Sequence, residues 1–311
     1  MPTIAERIEG GLLGLLIGDA LGVPYEFHPP QALPPLEEIE FKPPAGFRRS
    51  HGQVLPGTWS DDGAQALALL ASLLEQGELD IQDFGRRLVA WYEQGYMAVD
   101  GIVFDVGIQT SRAIRAMMAG TPAAKAGPAE EAANGNGSLM RVLPLALWHR
   151  GSDRELVEAA RRQSLPTHGH LRAQLCCALY CLWARRLLEE APDPWPAAVR
   201  ALRDIYGPGS AEDEELERHI RPDDPPQGSG SGYVVDCLYS AWWAVQAGGY
   251  EQVVKAAVAL GHDTDTTACV AGGIAGIRDG VKAIPLRWRE QLRGKELVEP
   301  LLQQLVRQWT V

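Results

Sequence analysis

The sequence predicts an all-α fold, a compact helical bundle, and three observations lead there. Apolar residues recur at helical spacing along nearly the whole chain, while alternating strand patterns are scarce. Many of these segments are rich in Ala, Gly and Leu, which lets backbones approach closely. Two clusters of carboxylates and hydroxyls, nearly the chain's length apart, each stand directly before a small-residue apolar helix.

In order, helices are expected near 4–21, 63–76, 82–93, 102–119, 139–150, 153–164, 168–190, 233–247, 250–260, 266–280 and 296–309. A short extended piece around 39–41 is the one tempting strand. Pro and Gly concentrate in the connections 28–58, 120–137, 191–197 and 207–232. The last of these is also acidic and reads as a mobile surface loop. No connection separates compositionally distinct halves, and no internal repeat is visible. A single domain over residues 1–311 is therefore expected, with long functional loops.

Hydrophobic content of 46% and charged content of 22% are those of a soluble globular protein. A net charge of -11 leaves no basic excess to displace counterions, which speaks against nucleic acid as the main partner. Five cysteines (Cys176, Cys177, Cys181, Cys237, Cys269) lie on apolar stretches without metal-type pairing and read as buried hydrophobes in a reducing compartment. The N-terminal segment is amphipathic, with Glu6, Arg7 and Glu9, and unlike a signal peptide. No apolar run reaches the roughly 20 residues of a membrane span. A cytoplasmic protein with no membrane partner is expected.

The first acidic cluster is Ser60-Asp61-Asp62 in GTWSDDGAQALALL; the second is Asp263-Thr264-Asp265-Thr266 in LGHDTDTTACVAGGIAG. N-capping accounts for one hydroxyl or carboxylate at each helix start, not for three or four in a row. A helix that buries its apolar face gains nothing from carboxylates there unless something neutralises them. Hard divalent cations prefer oxygen ligands, and acids two residues apart in a turn converge on one ion. Brought together, the clusters would form an oxygen-only site with room for two metals.

Other residues add to this. Asn134-Gly-Asn-Gly-Ser-Leu-Met-Arg141 combines backbone freedom with an apparent helix start at 138–139, whose amides would face an anion. His168 and His170 precede a long apolar helix that either can cap. His262-Asp263 is similar to the His-Asp step of helical metal phosphohydrolases, yet the upstream histidines of that family have no counterpart beside Ser-Asp-Asp. Glu26 closes GLLIGDALGVPYEF, Asp105 sits in GIVFDVGIQT, and Asp19 lies inside the first helix; taken singly, each reads first as a capping or hydrogen-bonded structural acid.

In their order along the chain, GLLIGDALGVPYEF, GTWSDDGAQALAL, FDVG, NGNGSLMR, SLPTHGH, SGYVVDCL and LGHDTDTTACVAGGIAG resemble the ADP-ribosylglycohydrolases of the dinitrogenase-reductase-activating type, over roughly residues 8–280. The resemblance implies an all-α fold with a binuclear magnesium or manganese centre at the base of a cleft. It implies hydrolysis of the bond between ADP-ribose and an acceptor. The metal ligands would be Ser60 (threonine in many members), Asp61, Asp62, Asp263, Asp265 and Thr266. Glu26 and Asp105 would be catalytic. Asn136, Gly137 and Ser138 would hold the ribose and diphosphate, His168 the distal part of ADP-ribose, and Tyr233 the adenine. The FDVG string favours N-linked ADP-ribosyl-arginine, free or on a protein. O-linked substrates, a non-catalytic ADP-ribose binder and a phosphohydrolase remain the alternatives.

Overall fold

Two helices from opposite ends of the chain form the axis of the fold. In the computed structural model, which describes residues 1–309, α1 (Ile4–Gly22) packs along α12 (Thr264–Asp279). The cause lies in the side chains they lack. Gly10, Gly14, Gly18 and Gly22 recur every fourth residue and so share one face of α1. Ala268, Gly272 and Gly276 answer them from α12. A Cβ on Gly14 would lie 2.4 Å from the Gly272 carbonyl oxygen, and one on Gly18 only 2.1 Å from that of Ala268. Such contact leaves no room for even a methyl group.

Twelve further helices surround this pair: α2 (Asp61–Gln76), α3 (Ile81–Gln94), α4 (Ile108–Met118), α5 (Leu143–Trp148), α6 (Asp153–Ser164), α7 (Leu171–Leu188), α8 (Pro194–Tyr206), α9 (Ala211–Glu215), α10 (Val234–Ala244), α11 (Tyr250–Ala259), α13 (Leu286–Gln291) and α14 (Lys295–Arg307). Among the described residues no β-strand forms, and the extended pairing consists of one bridge between Gly135 and Tyr233. The all-α expectation holds. All five cysteines are buried and free, and Cys176, Cys177 and Cys181 lie on α7, which is buried on nearly every side.

Several expectations change. Residues 39–41 are not a strand: Ile39 and Phe41 are buried, and the backbone of Glu40 is satisfied by the Tyr25 hydroxyl, which accepts from its N–H (3.0 Å) and donates to its carbonyl (2.8 Å). Helix α8 lies where only a connection over 191–197 was expected. Pro194 and Pro196 fall at its start, where proline is tolerated, and Trp195, Ala198, Val199 and Leu202 form its buried stripe. Helix α13 is likewise additional. The expected helix 102–119 begins only at Ile108, because Asp105 adopts φ +55°. The acidic stretch 207–232 contains α9 and a wide turn Leu216–Ile220 that buries Leu216 and Ile220, and Arg203 ties it down through Glu217 and Asp223. Finally, residues 4–25 are long and apolar enough to pass for a membrane span, with mean hydropathy 1.2. They are 89% buried inside the protein, because α1 is a core helix.

Candidate active site

The close packing of α1 on α12 sets the site. It places the N-terminus of α12 beside Gly22 of α1, where the Thr264 hydroxyl donates to the Gly22 carbonyl (2.8 Å). Asp19, one helical turn earlier, reaches the N-terminus of α2: its carboxylate accepts from Ser60 N–H at 2.9 Å and from Gly63 N–H at 2.8 Å. The acid inside α1 is thus a cap for a helix some 40 residues away. Burial pushes its carboxyl up to about 7, against the opposing pull of those Ser60 and Gly63 bonds.

The starts of α2 and α12 meet. Ser60 is the N-cap of α2 and accepts from Asp62 N–H at 3.3 Å, so one hydroxyl is spent on capping. The remaining acids are not. Asp61, Asp62 and Asp265 are buried and Asp263 is half-buried, and Thr266 Oγ1 donates to Asp62 Oδ1 at 3.4 Å, joining the two clusters. Asp62 Oδ2 and both carboxylate oxygens of Asp265 have no hydrogen-bond partner. Oxygens of Glu26, Asp263 and Asp265 lie within 4.8 Å of one another. Burial holds Asp61, Asp62 and Asp265 well above the usual carboxylate range, reinforced by repulsion from Asp105, Asp19 and Glu26 respectively. Burial, then Asp105, Asp263 and Asp61, pushes Glu26 up to about 11.

One positive charge opposes this from the protein. Arg141, fully buried over the Phe84 ring, donates to Gln65 Oε1 (2.8 Å), and Gln65 Nε2 donates to Asp61 Oδ2 (3.1 Å). The amide hands the orientation of the guanidinium on to the carboxylate. A single guanidinium does not balance so many acids. Orphaned buried carboxylate oxygens in an all-oxygen set fit hard divalent cations, and Ser60, Asp61, Asp62, Asp263, Asp265 and Thr266 are the residues that would hold them.

Above the acids opens a cavity of about 830 Å³. Glu26, Asp61, Asp62, Asp105, Asn136, Gly137, His168, Asp263 and Thr266 line it, as do Phe27, Ile108 and His262, which the sequence did not single out for the cavity. The NGNG loop forms one wall. Asn136 N–H donates to the Gly232 carbonyl (3.0 Å), and its side-chain amide donates to Asp263 Oδ2 (2.8 Å). A Cβ on Gly137 would lie 2.8 Å from the His168 ring, so glycine here lets the imidazole close the wall. His168 is neutral: burial, then the charge of Arg141, pushes it down to about 3.

The expected helix start at 138–139 is absent. Leu139 and Met140 instead donate their amides to the Asn136 carbonyl, and α5 begins at Leu143, so those two N–H groups are not available to an anion. Ser138 is fully buried, its hydroxyl 2.8 Å from Ser164 Oγ, and is not among the lining residues. Tyr233 lies next to the lining residue Gly232, 39% exposed, its hydroxyl accepting from Arg172 at 3.1 Å. His170 caps α7, accepting from Arg172 N–H at 3.1 Å.

His51 was missed altogether. Its Nε2 lies 2.6 Å from Glu26 Oε2. Burial lowers its basicity, against the opposing pull of Asp105. Four non-glycine residues at or beside this cleft (Phe27, His51, Asp105 and His262) have φ between +50° and +63°. Such conformations are costly and persist where the surroundings impose them, as functional sites do.

Comparison with known proteins shows the family. The family model for ADP-ribosylglycohydrolase matches residues 1–311. The chain belongs to the ADP-ribosylglycohydrolase family. It is 32% identical to the ADP-ribosylarginine hydrolase Tri1 of Pseudomonas putida, over 96% of this chain and 78% of that one. It is 30% identical to the ADP-ribosyl-[dinitrogen reductase] glycohydrolase of Rhodospirillum rubrum, over 94% and 92%. Human ADP-ribosylhydrolase ARH3 is more distant, at 24% over 97% and 93%. A solved ADP-ribosylglycohydrolase-related protein complex contains a chain that superposes with a TM-score of 0.78, at 33% identity and 99% coverage of both chains. As a member of this glycohydrolase family the chain is an enzyme, a hydrolase acting on glycosyl bonds.

Proposed function

We propose that this enzyme hydrolyses N-linked ADP-ribosyl-arginine, free or on a protein, with two magnesium or manganese ions held by Ser60, Asp61, Asp62, Asp263, Asp265 and Thr266. The observation that carries the reading is the set of unpartnered carboxylate oxygens on Asp62 and Asp265 beneath a cavity that Glu26 and Asp105 also line. The arginine acceptor is supported by the FDVG string and by the higher identity to the arginine-type relatives than to ARH3. The proposal takes residues 1–311 as one domain, supported by the packing of α1 on α12, and places it in the cytoplasm, supported by five free buried cysteines.

When bound, divalent cations supply neutralising charge, hold ribose hydroxyls and polarise a water. The rest falls to the chain. The Asn136–Gly137 wall and His168 would bind ADP-ribose and exclude bulk water around it, while Asn136 keeps Asp263 turned toward the cleft. As the N-glycosidic bond breaks, its electron pair leaves with the guanidine nitrogen, and positive charge develops on the ribose. The Asp105 carboxylate on the cavity wall would stabilise that charge. Glu26 would take the proton from the attacking water, whose oxygen bonds to the anomeric carbon, and return a proton to the leaving nitrogen.

The assay is direct. ADP-ribosyl-arginine incubated with the enzyme and magnesium or manganese should yield free ADP-ribose, and chelation should abolish the release. Release from O-linked serine or O-acetyl substrates alone would overturn the acceptor assignment, and no release from any of them would overturn the catalytic reading. Asp263→Ala should reduce turnover by at least 100-fold; full activity would show that the metal residues are misassigned.

A further inference from the structure

The backbone and side chain of Glu26 are clamped by a segment that the mechanism above does not use. Its carbonyl accepts from the Ser50 hydroxyl and lies 2.9 Å from His28 Nδ1. Ser50 N–H donates to the Pro24 carbonyl (2.9 Å), which ties residues 48–54 to the turn ahead of Glu26. From that segment His51 extends its Nε2 to Glu26 Oε2. The ring is nearly buried, with 12% of the side chain exposed, and packs at 5.0 Å, tilted by 52°, against Phe104, the neighbour of Asp105. On its other side lies Phe27, at 5.7 Å. His51 holds φ +50°, a conformation that histidine adopts at a cost, and Val54 N–H closes a tight turn onto its carbonyl (2.8 Å). Ligating groups of Glu26, His51 and Asp105 fall within 4.8 Å of one another, so this one imidazole bonds Glu26 and lies close to Asp105, the two acids assigned to the chemistry.

A glutamate has three rotatable side-chain bonds and, at the floor of a wide cavity, many places to point. A strained, tightly packed imidazole on one of its oxygens removes that freedom and leaves the other oxygen for substrate. We infer that His51, itself packed against Phe27 and Phe104, is a positioning residue for the reaction: it fixes the Glu26 carboxyl so that its free oxygen faces the anomeric bond. This rests on the reading of Glu26 as the proton-transfer residue. Misplacing a reacting group by about 1 Å costs on the order of 100-fold in rate, which sets the size of the effect.

The test compares wild type, His51→Phe, His51→Gln, Glu26→Gln and the His51→Phe/Glu26→Gln double variant on ADP-ribosyl-arginine with magnesium or manganese. His51→Phe keeps the aromatic packing and removes the nitrogen. It should lower kcat by roughly 10- to 100-fold with KM within about 2-fold. His51→Gln, whose amide nitrogen can reach the same oxygen, should recover most of the loss. In the Glu26→Gln background, His51→Phe should add little further loss. Should His51→Phe fail to fold by circular dichroism, His51→Asn replaces it, since asparagine tolerates positive φ and is too short to reach Glu26. A nitrogen-free variant that keeps wild-type kcat while Glu26→Gln is inactive overturns the inference alone, as does a loss that multiplies unchanged in the double variant. Full activity of Glu26→Gln overturns the assignment of Glu26, and with it the role of His51.

Discussion

Asp19 shows how one buried residue serves a site it does not enter. Its carboxylate replaces the missing hydrogen-bond partners at the first turn of α2, so the placement of Asp61 and Asp62 depends on a side chain from α1. Asp19→Asn keeps one acceptor oxygen but turns an amide N–H toward a backbone N–H. We expect it to cost about 1–3 kcal/mol in urea unfolding with chelator present. Weaker binding in a manganese titration should accompany it, because the two acids would no longer be held. Unchanged stability and manganese binding together would show that α2 is capped by something else. The sequence held the acid in view on the Gly/Ala side of the first helix but not its partner, since a bond across 41 residues has no local signature.

At the scale of elements, the glycine ladder of α1 decides how near α12 can come, and hence how near Asp265 lies to the acids of α2. Gly18→Ala would drive a methyl carbon to 2.1 Å from the Ala268 carbonyl oxygen, with backbone on both sides and nothing flexible to yield. The expected destabilisation is about 1–3 kcal/mol, by chemical or thermal denaturation, with activity reduced beyond what the lost stability explains. An alanine variant as stable and active as the parent would mean that the helices can part without moving the site. The helices with plain apolar stripes were legible in the sequence. Helix α8 carried the same stripe but was hidden by its opening prolines, and the acidic stretch after it looked mobile because its buried Leu216 and Ile220 are few among many charges. The expected helix around 102–107 failed for the opposite reason: Asp105 takes a left-handed conformation that composition does not announce.

The whole molecule folds around carboxylates that repel one another, and this gives its stability a characteristic dependence on pH and metal. Asp61, Asp62 and Asp265 have proton affinities raised by folding, so the folded metal-free protein binds more protons than the unfolded chain. Stability in chelator should therefore fall as pH rises from about 5 to 8. Divalent cations at the proposed site would bind only its assembled form, adding about 2.7 kcal/mol at 100 times their dissociation constant. The rise in Tm on adding magnesium or manganese should thus be larger at pH 8 than at pH 5.5, read by differential scanning calorimetry. A Tm indifferent to metal at both values would remove the cations from the site.

The sequence by itself determined the helical class, the two acidic clusters and their oxygen chemistry, because periodicity and local composition are written residue by residue. It also carried Glu26, Asp105, Asn136 and His168, through the order of motifs along the chain. Tertiary structure decided what depends on approach in space. It set the depth at which α12 meets α1, the capping of α2 by Asp19, and the relay from Arg141 through Gln65 to Asp61. It turned Ser138 into the interior, and it brought His51 onto Glu26. Each of these rests on a contact between residues distant in sequence, or on a backbone angle imposed by packing. Such contacts have no period and no spacing for a sequence to display.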